Sequence, residues 1–336
     1  MKHVPLKTIL IGFGKIAAGY ADDKTMARYF PYATHAQVLH DHPSFSWDAV
    51  VDPSEEALER ANRDWNVSCA RANIDEVVAD SHPDVAIIAT PPETRLNIIE
   101  KLPSLKAVLV EKPLGLTLRE GRELIESCRQ RNILLQVNFV RRADERARAL
   151  AMGELDQLVG KPQAVFGMYG NGLLNNGSHM VDLARMFFGE IDSVRALDEP
   201  VPFGSGDFQV PFALKFARGL IVTMSPVSFT YYRENSVDIW GEKGRLSIMQ
   251  EGLGIYHYPV CRNRAVDGEK EVASDRPREI RSTIGNALYH MYSNLADAVS
   301  GEKPLWSDGD SALKTSEALH AILDSARDSG RSVGVS

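Results

Sequence analysis

The aliphatic run Ile9-Leu10-Ile11, opened by Thr8, leads without a break into Gly12-Phe13-Gly14-Lys15-Ile16-Ala17. No other stretch restricts the fold as much. Continuous apolar runs of strand length need cover on both faces, and parallel strands obtain it from the helices that connect them. Similar runs follow at Trp47 to Val51, Val85 to Ala89, Ala107 to Val110 and Ile133 to Val137. Helical stretches lie between them. Ser54 to Asp64 carries Glu55 and Glu56 in its first turn, the favourable sign of charge for a helix N-terminus, and Thr117 to Arg131 sets Leu118, Gly121, Leu124, Ile125 and Cys128 on one side. Strand alternating with helix predicts a doubly wound α/β fold, with ligands at the carboxyl ends of its strands.

The glycine turn fits G-x-G-x-x-A, the pattern of a dinucleotide-binding loop. Gly12 permits a tight turn, Gly14 lets backbone approach a pyrophosphate, and Ala17 lets the following helix pack closely, with Phe13, Lys15 and Ile16 completing the loop. Asp52 ends the second run. A carboxylate there accepts from the adenosine ribose hydroxyls and repels a 2′-phosphate, which favours NAD over NADP. The competing reading is that Asp52 only opens the next helix with Pro53 and Ser54. The acid follows the first glycine by about forty residues rather than about twenty. An insertion accounts for the excess, between Ala17 and the His35-Ala36 where the helical pattern resumes, and it either covers the ligand or lies in solvent as a surface loop.

Two more motifs close predicted strands: Thr90-Pro91-Pro92-Glu93-Thr94-Arg95, and Glu111-Lys112-Pro113. Thr90, Pro91, Glu111 and Lys112 therefore join the candidate cofactor-binding residues. Proline after Lys112 restricts the lysine to extended backbone, so the chain itself sets the direction of that side chain.

With 336 residues the chain suits two domains. A net charge of -7 without a basic, aromatic-laced patch argues against nucleic acid. No apolar segment is long enough to span a bilayer, and no secretory leader is recognisable, so a cytoplasmic protein is expected. Cys69, Cys128 and Cys261 are scattered, which predicts neither disulfides nor a metal site. From Gln163 onward strand-like segments dominate: AVFGMYG, SVRALD, FQVPFALKF, LIVTMSPVSF, SVDIWG, RLSIMQ and GIYHYP. The expected organisation is a cofactor domain over residues 1–140 and an α+β domain over 141–336, whose last helices have the option of packing back on the first domain.

Taken in order, GFGKIA, VVD, ATPPETR, VEKPL, FVRR and GSHMVDLARMFFGE resemble the glucose-fructose oxidoreductase / inositol dehydrogenase family, Gfo/Idh/MocA, with NSVDIWGEKGRLSI and SALKTSEALHAILDSAR fitting as well. The resemblance implies an N-terminal Rossmann domain and a C-terminal α+β domain with an open, predominantly antiparallel sheet. That sheet commonly joins copies, so a homo-oligomer, dimer or tetramer, is implied. It also implies NAD(P)-dependent hydride transfer between nicotinamide and a secondary hydroxyl or ketone of a sugar, sugar derivative or cyclitol. His179 then falls at the substrate as general acid/base, its imidazole titrating at about 6.5 when unperturbed, and Lys112 polarises the same oxygen. Asp182 either orients His179 and meets substrate or pairs with Arg185. Arg141, with Arg142, either anchors an anionic substrate group or bridges to Asp144 and Glu145.

The departures are specific. Family members similar to inositol dehydrogenase carry aspartate four residues before the histidine, where this chain has Asn175. An amide cannot take the proton, so Asn175 is expected to bind substrate. Arg95 stands where the family's segment often has histidine, and its partner is open. Gly177 and Ser178 are expected to supply the turn and N-cap of the helix that follows. Two other functions fit the same residues. An NAD-dependent glycoside hydrolase would oxidise its substrate transiently and accumulate no NADH; a non-catalytic dinucleotide sensor would have no need of Lys112 and His179.

Overall fold

A computed structural model describes residues 4–78, 81–204 and 206–335. The chain divides into two compact units, Met1–Asp144 with Gly285–Leu313, and Glu145–Ile284 with Lys314–Ser336. Among the described residues no helix is long and apolar enough to cross a membrane.

The first unit is built on a six-stranded sheet: β1 (Leu6–Ile11), β2 (Phe45–Val51), β3 (Cys69–Arg71), β4 (Val85–Ile88), β5 (Ala107–Val110) and β6 (Leu134–Val137). All neighbours pair in parallel, in the order β3-β2-β1-β4-β5-β6. Side chains alternate across the sheet, so Ile9, Ile11, Ala86, Ile88, Val108 and Val110 enter one core cluster while Leu10, Val85, Ile87, Ala107 and Leu109 enter the other. Both faces are covered, which is why these runs are apolar without interruption. The short strand β3 has only half-buried residues, and without an apolar run it left no mark on the pattern.

Helices α1 (His35–Asp41), α2 (Glu55–Trp65), α3 (Asp75–Val78), α4 (Arg95–Glu100) and α5 (Leu118–Gln130) connect these strands. Their starts follow from local chemistry. Thr34 and Gln37 form a reciprocal capping box on α1, Ser54 accepts the Ala57 N–H on α2, and Thr117 accepts the Glu120 N–H on α5. The insertion interrupts one helical path. The Ile16 and Ala17 carbonyls, which in a continuous helix would accept from residues 20 and 21, instead accept the N–H groups of His35 (3.3 Å) and Ala36 (2.8 Å). Residues 20–34 are thus looped out, and without them Gly12 and Asp52 lie closer to the ordinary spacing. Tyr32 of the loop rests on Tyr289, ring centroids 4.8 Å apart, and the Arg60 guanidinium donates to the Ala18 carbonyl and to Asp22.

The second unit begins with α6 (Glu145–Ala149) and α7 (Leu155–Val159), and carries β7 (Pro162–Gly170), α8 (Ser178–Phe188), β8 (Ile191–Ala196), β9 (Val201–Phe203), β10 (Asp207–Gln209), β11 (Phe212–Phe216), β12 (Ile221–Val227), β13 (Ser236–Gly241), β14 (Gly244–Met249), β15 (Gly254–Arg262), β16 (Lys270–Val272), β17 (Arg278–Glu279) and β18 (Val333–Gly334). Ten of these strands form one sheet, ordered β16-β15-β14-β13-β7-β12-β11-β8-β18 with β17 beside β15; β9 and β10 form a separate hairpin. Among the described residues, only the β7 to β12 pairing of this sheet is parallel, so the sheet is mostly antiparallel, as the family resemblance implied. The expected strand FQVPFALKF splits in two, β10 and β11, around Val210-Pro211, where proline has no N–H for a ladder.

One sheet face packs Val165, Phe212, Leu214, Val222, Ile239 and Leu246 against Leu155 and Val159 of α7, Val181 and Ala184 of α8, and the later turns of α10 (Gly309–Arg327). The other face exposes Phe166, Ile221 and Trp240. Arg245 lies over both Trp240 (4.8 Å to the centroid) and Tyr258 (5.0 Å). Helix α9 (Ala287–Val299) belongs to the first unit, where Leu288, Met291, Tyr292 and Leu295 share a cluster with Ala36, Val38 and Leu39 of α1.

His42, at the end of α1, is closed in by Phe45 (5.1 Å between centroids) and Tyr289 (4.4 Å), with Nε2 3.0 Å from Ser293 Oγ. Burial pushes its imidazole down from 6.5 to about 4, against a smaller upward pull from Asp297. The unfolded chain therefore binds this proton more readily than the folded one. The stability contributed by the neutral ring is present above about pH 6.5 and is lost as the pH falls from there toward 4. The melting temperature is expected to decline across that window, and less steeply in His42→Gln; superimposable pH profiles of the two proteins would rule this out.

Candidate cofactor and active-site residues

In the first unit, β1 ends in a turn that only glycine can make. Gly12 has φ +87°, and a Cβ there would lie 3.0 Å from the Ala89 backbone and from Thr90. Gly14 is different. A Cβ on it would meet no protein atom within 4 Å. Protein packing therefore does not explain this glycine, whereas a ligand seated on the backbone does. The helical turn that starts here returns the Ala18 N–H to the Gly14 carbonyl at 3.0 Å, and the first N–H groups of such a turn have no partner within it. Lys15 and Gly14 are exposed, while Phe13 is buried and packs on Trp47. These residues fit a dinucleotide pyrophosphate.

Asp52 binds this turn to the start of α2. Its Oδ2 accepts the Phe13 N–H at 2.6 Å and its Oδ1 the Ser54 N–H at 2.9 Å. The helix-opening role is thus realised, and each carboxylate oxygen keeps a further lone pair for a ribose hydroxyl.

Thr90 and Pro91 open the turn after β4, where Thr90 Oγ1 meets Thr94 Oγ1 at 2.7 Å and the Thr94 hydroxyl donates to the Pro91 carbonyl. Arg95 faces neither cofactor nor solvent. At 1% exposure it is among the largest fully buried side chains, and its guanidinium donates to the carbonyls of Thr90, Pro113 and Leu114. It therefore ties the turn after β4 to the turn after β5. Burial lowers its pKa to about 10, with Glu111 and Glu93 pulling upward, so it stays a cation at neutral pH.

Glu111 and Lys112 follow β5, and the Lys112–Pro113 peptide is cis. Glu111 is held from two sides: Asn138, beyond β6, donates to it at 2.6 Å, and His35 Nε2 lies 2.9 Å away. Behind His35, Nδ1 meets the Tyr292 hydroxyl at 2.8 Å. Burial and the Glu111 charge raise the Tyr292 pKa well above its ordinary value, so the phenol keeps its proton. For Glu111 itself desolvation pulls upward, but His35, Asn138 and the Lys112 charge together outweigh it and leave the carboxyl below its ordinary range. Arg141 lies in the 3₁₀ turn Val140–Ala143, its carbonyl taking the Asp144 N–H.

In the second unit, Asn175 and His179 share one helical stretch. Gly172–Gly177 is a π-helical segment that continues directly into α8. This corrects the expected turn and cap: Gly177 is helical, and Ser178 is the first residue of α8, its hydroxyl donating to the Asn175 carbonyl at 2.5 Å. The glycine serves packing, since a Cβ on Gly177 would lie 3.1 to 3.3 Å from Leu173 and Tyr169. Asn175 and His179 are half-buried; Asp182 is fully buried, accepting from Thr315 Oγ1 at 2.9 Å with Arg185 at 3.5 Å. Arg185 pairs in turn with Glu190.

Sequence reasoning passed over His35, Asn138 and Tyr292, and left Arg95 without a partner. Asn138 offered a signal, because it directly follows a predicted parallel strand. His35 and Tyr292 offered none, being 257 residues apart and brought together only by folding.

Residues 6–139 match the model of the oxidoreductase family with an NAD-binding Rossmann fold, and residues 156–247 match the GFO/IDH/MocA C-terminal domain. The chain is 31% identical to the scyllo-inositol 2-dehydrogenase (NAD(+)) of Bacillus subtilis over 62% of each chain. It is 23% identical to the myo-inositol 2-dehydrogenase of Thermotoga maritima over 59% of this chain and 66% of that one. The chain thus spans less than two thirds of the length of these relatives. Among solved structures, the WlbA dehydrogenase of Chromobacterium violaceum, in complex with NADH and UDP-GlcNAcA, superposes with a TM-score of 0.75 over 100% of this chain and 99% of that one at 22% identity. An oxidoreductase of Agrobacterium radiobacter in complex with NAD+, L-tartaric acid and magnesium gives 0.74 over 99% of each at 18%. At such identities the likeness is one of fold. Together the two family models, which cover the glycine turn, the Glu111-Lys112-Pro113 turn and the stretch bearing Asn175 and His179, show that the chain belongs to the GFO/IDH/MocA family of NAD-binding oxidoreductases.

Proposed function

We propose that this protein is an NAD-dependent dehydrogenase that oxidises a secondary hydroxyl of a sugar, sugar derivative or cyclitol, or reduces the matching ketone. The observation that carries the reading is Gly14, whose missing Cβ leaves open space at the first N–H groups of a helical turn. The inositol dehydrogenases among its relatives support the substrate class. When bound, NAD supplies the hydride acceptor. Gly12, Phe13, Gly14, Lys15 and Ile16 hold its pyrophosphate, Asp52 its ribose, and Thr90, Pro91 and Glu111 border it. Asp52 also disfavours a 2′-phosphate by charge repulsion, the basis for NAD over NADP.

In this reading Lys112 donates hydrogen bonds to the substrate oxygen as negative charge develops on it, and His179 takes the hydroxyl proton. Asn175 binds substrate hydroxyls through its amide, and Arg141 contacts an anionic substituent where one is present. Asp182, paired with Thr315 and Arg185, fixes α8 rather than touching substrate. A cytoplasmic location suits the three free cysteines. The exposed row of Phe166, Ile221 and Trp240 fits a homo-oligomer formed through the C-terminal sheet.

Gly14→Val is expected to weaken NADH binding, read by nicotinamide fluorescence, more than tenfold while moving the melting temperature little. Gly12→Ala should instead lower stability by about 1 kcal/mol or more, because its positive φ and close contacts leave no room for a methyl. Equal effects of both on binding and melting would remove the argument from Gly14. Lys112→Ala and His179→Ala should each keep NADH affinity and reduce kcat with scyllo- or myo-inositol, or another polyol found by screening, by roughly 10²- to 10⁴-fold. Wild-type turnover by either variant sinks that residue's role. Light scattering should give a mass above one 37.2 kDa chain, falling toward it in Phe166→Glu/Trp240→Glu; a monomeric wild-type protein contradicts the oligomer.

A further inference from the structure

The stretch bearing Asn175 and His179 is held at its start by a carboxylate from elsewhere in the chain. Asp207 Oδ1 accepts the Leu174 N–H at 2.9 Å and Oδ2 accepts the Asn175 N–H at 3.0 Å, while Oδ1 also takes the Phe208 N–H at 2.7 Å. The approach depends on Gly172. It has φ +90°, and a Cβ on it would fall 2.0 Å from Oδ2, inside the carboxylate.

Three features make this more than a tether. The N–H groups at the start of a helical stretch have no partner within it, so their direction depends on whatever accepts from them. Negative charge at that end is the favourable sign for the helix dipole. From Asn171 to Val181 the chain carries no acidic, lysine or arginine side chain, so the anion must come from outside. It comes from β10, a strand of the separate hairpin, which thereby gains a reason to lie where it does. Tyr169 buttresses the same place. Its hydroxyl donates to the Val210 carbonyl and accepts the Val210 N–H, joining the end of β7 to the chain just beyond β10.

We propose that Asp207 is a positioning residue that fixes the directions of Asn175 and His179. Its consequence for catalysis rests on the reading above, in which those two side chains meet substrate; its effect on the segment does not. Asp207→Asn preserves shape but supplies one acceptor oxygen where three N–H groups now end on two, and replaces the other with a donor. Losing such a cap costs on the order of 1 to 2 kcal/mol, or roughly five- to thirtyfold in a local opening equilibrium.

The test uses the full chain. In Asp207→Asn, hydrogen exchange of the peptide spanning 172–179 should accelerate about tenfold while exchange of α9 stays unchanged. In protein labelled at the histidine ring carbons, the His179 resonance, identified by its loss in His179→Gln, should shift while those of the other eight of nine histidines stay in place. NADH affinity should remain within about twofold, since the glycine turn is untouched. Unchanged exchange at 172–179, or an unmoved His179 resonance, overturns the proposal. Full turnover by His179→Gln would remove the catalytic reading of that histidine and leave the exchange and resonance results to judge Asp207 alone.

Discussion

A carboxylate taken out of water must be hydrogen-bonded, and the ligand-facing end of the first unit is arranged around that requirement at Glu111. Asn138 reaches it from beyond β6, and His35 reaches it from the first residue of α1, backed by Tyr292 of α9. Remove the Glu111 charge and these elements lose their common partner. Lys112 is the next residue, so the direction in which it leaves the sheet depends on a network assembled from four distant parts of the chain. The looped-out residues 20–34 have their place here too: they leave the helical path after Gly19 and return at His35, the residue that completes the network.

Charge is used in a similar way elsewhere. Arg95 satisfies the carbonyls of Thr90, Pro113 and Leu114, so a single guanidinium keeps two strand-end turns in register. Asp52 joins the glycine turn to α2, and Asp207 joins a hairpin to the stretch ahead of α8. Each of these groups ends on backbone. Backbone donors and acceptors at the ends of strands and helices are the groups that regular structure leaves unpaired, and a charged side chain satisfies several at once. Such contacts hold irregular backbone with little of the apolar burial that holds the sheets.

The parallel sheet of the first unit was legible because burial on two faces demands uninterrupted aliphatic runs, and two of its helices were legible from their starts at Ser54 and Thr117, whose caps are local. The insertion could be located from the misplaced interval between Gly12 and Asp52. What it did structurally could not, since that depended on carbonyl partners at Ile16 and Ala17. The π-helical stretch before α8 was mistaken for a turn for a similar reason. Asn175, Asn176, Gly177 and Ser178 are turn formers by propensity, yet a tertiary carboxylate and close packing on Tyr169 and Leu173 keep them helical.

Sequence by itself determined the alternation of strand and helix in the first unit, the glycine turn, the strand-end motifs and the family, because each is written in contiguous residues with a local physical cause. Tertiary structure alone decided what the charged residues do. Arg95 became a clamp between turns, Asp182 a buried partner of Thr315 and Arg185, and His35 and Asp207 entered the account at all. A charge finds its partner across the fold, and the distance that decides it has no counterpart in the spacing of residues along the chain.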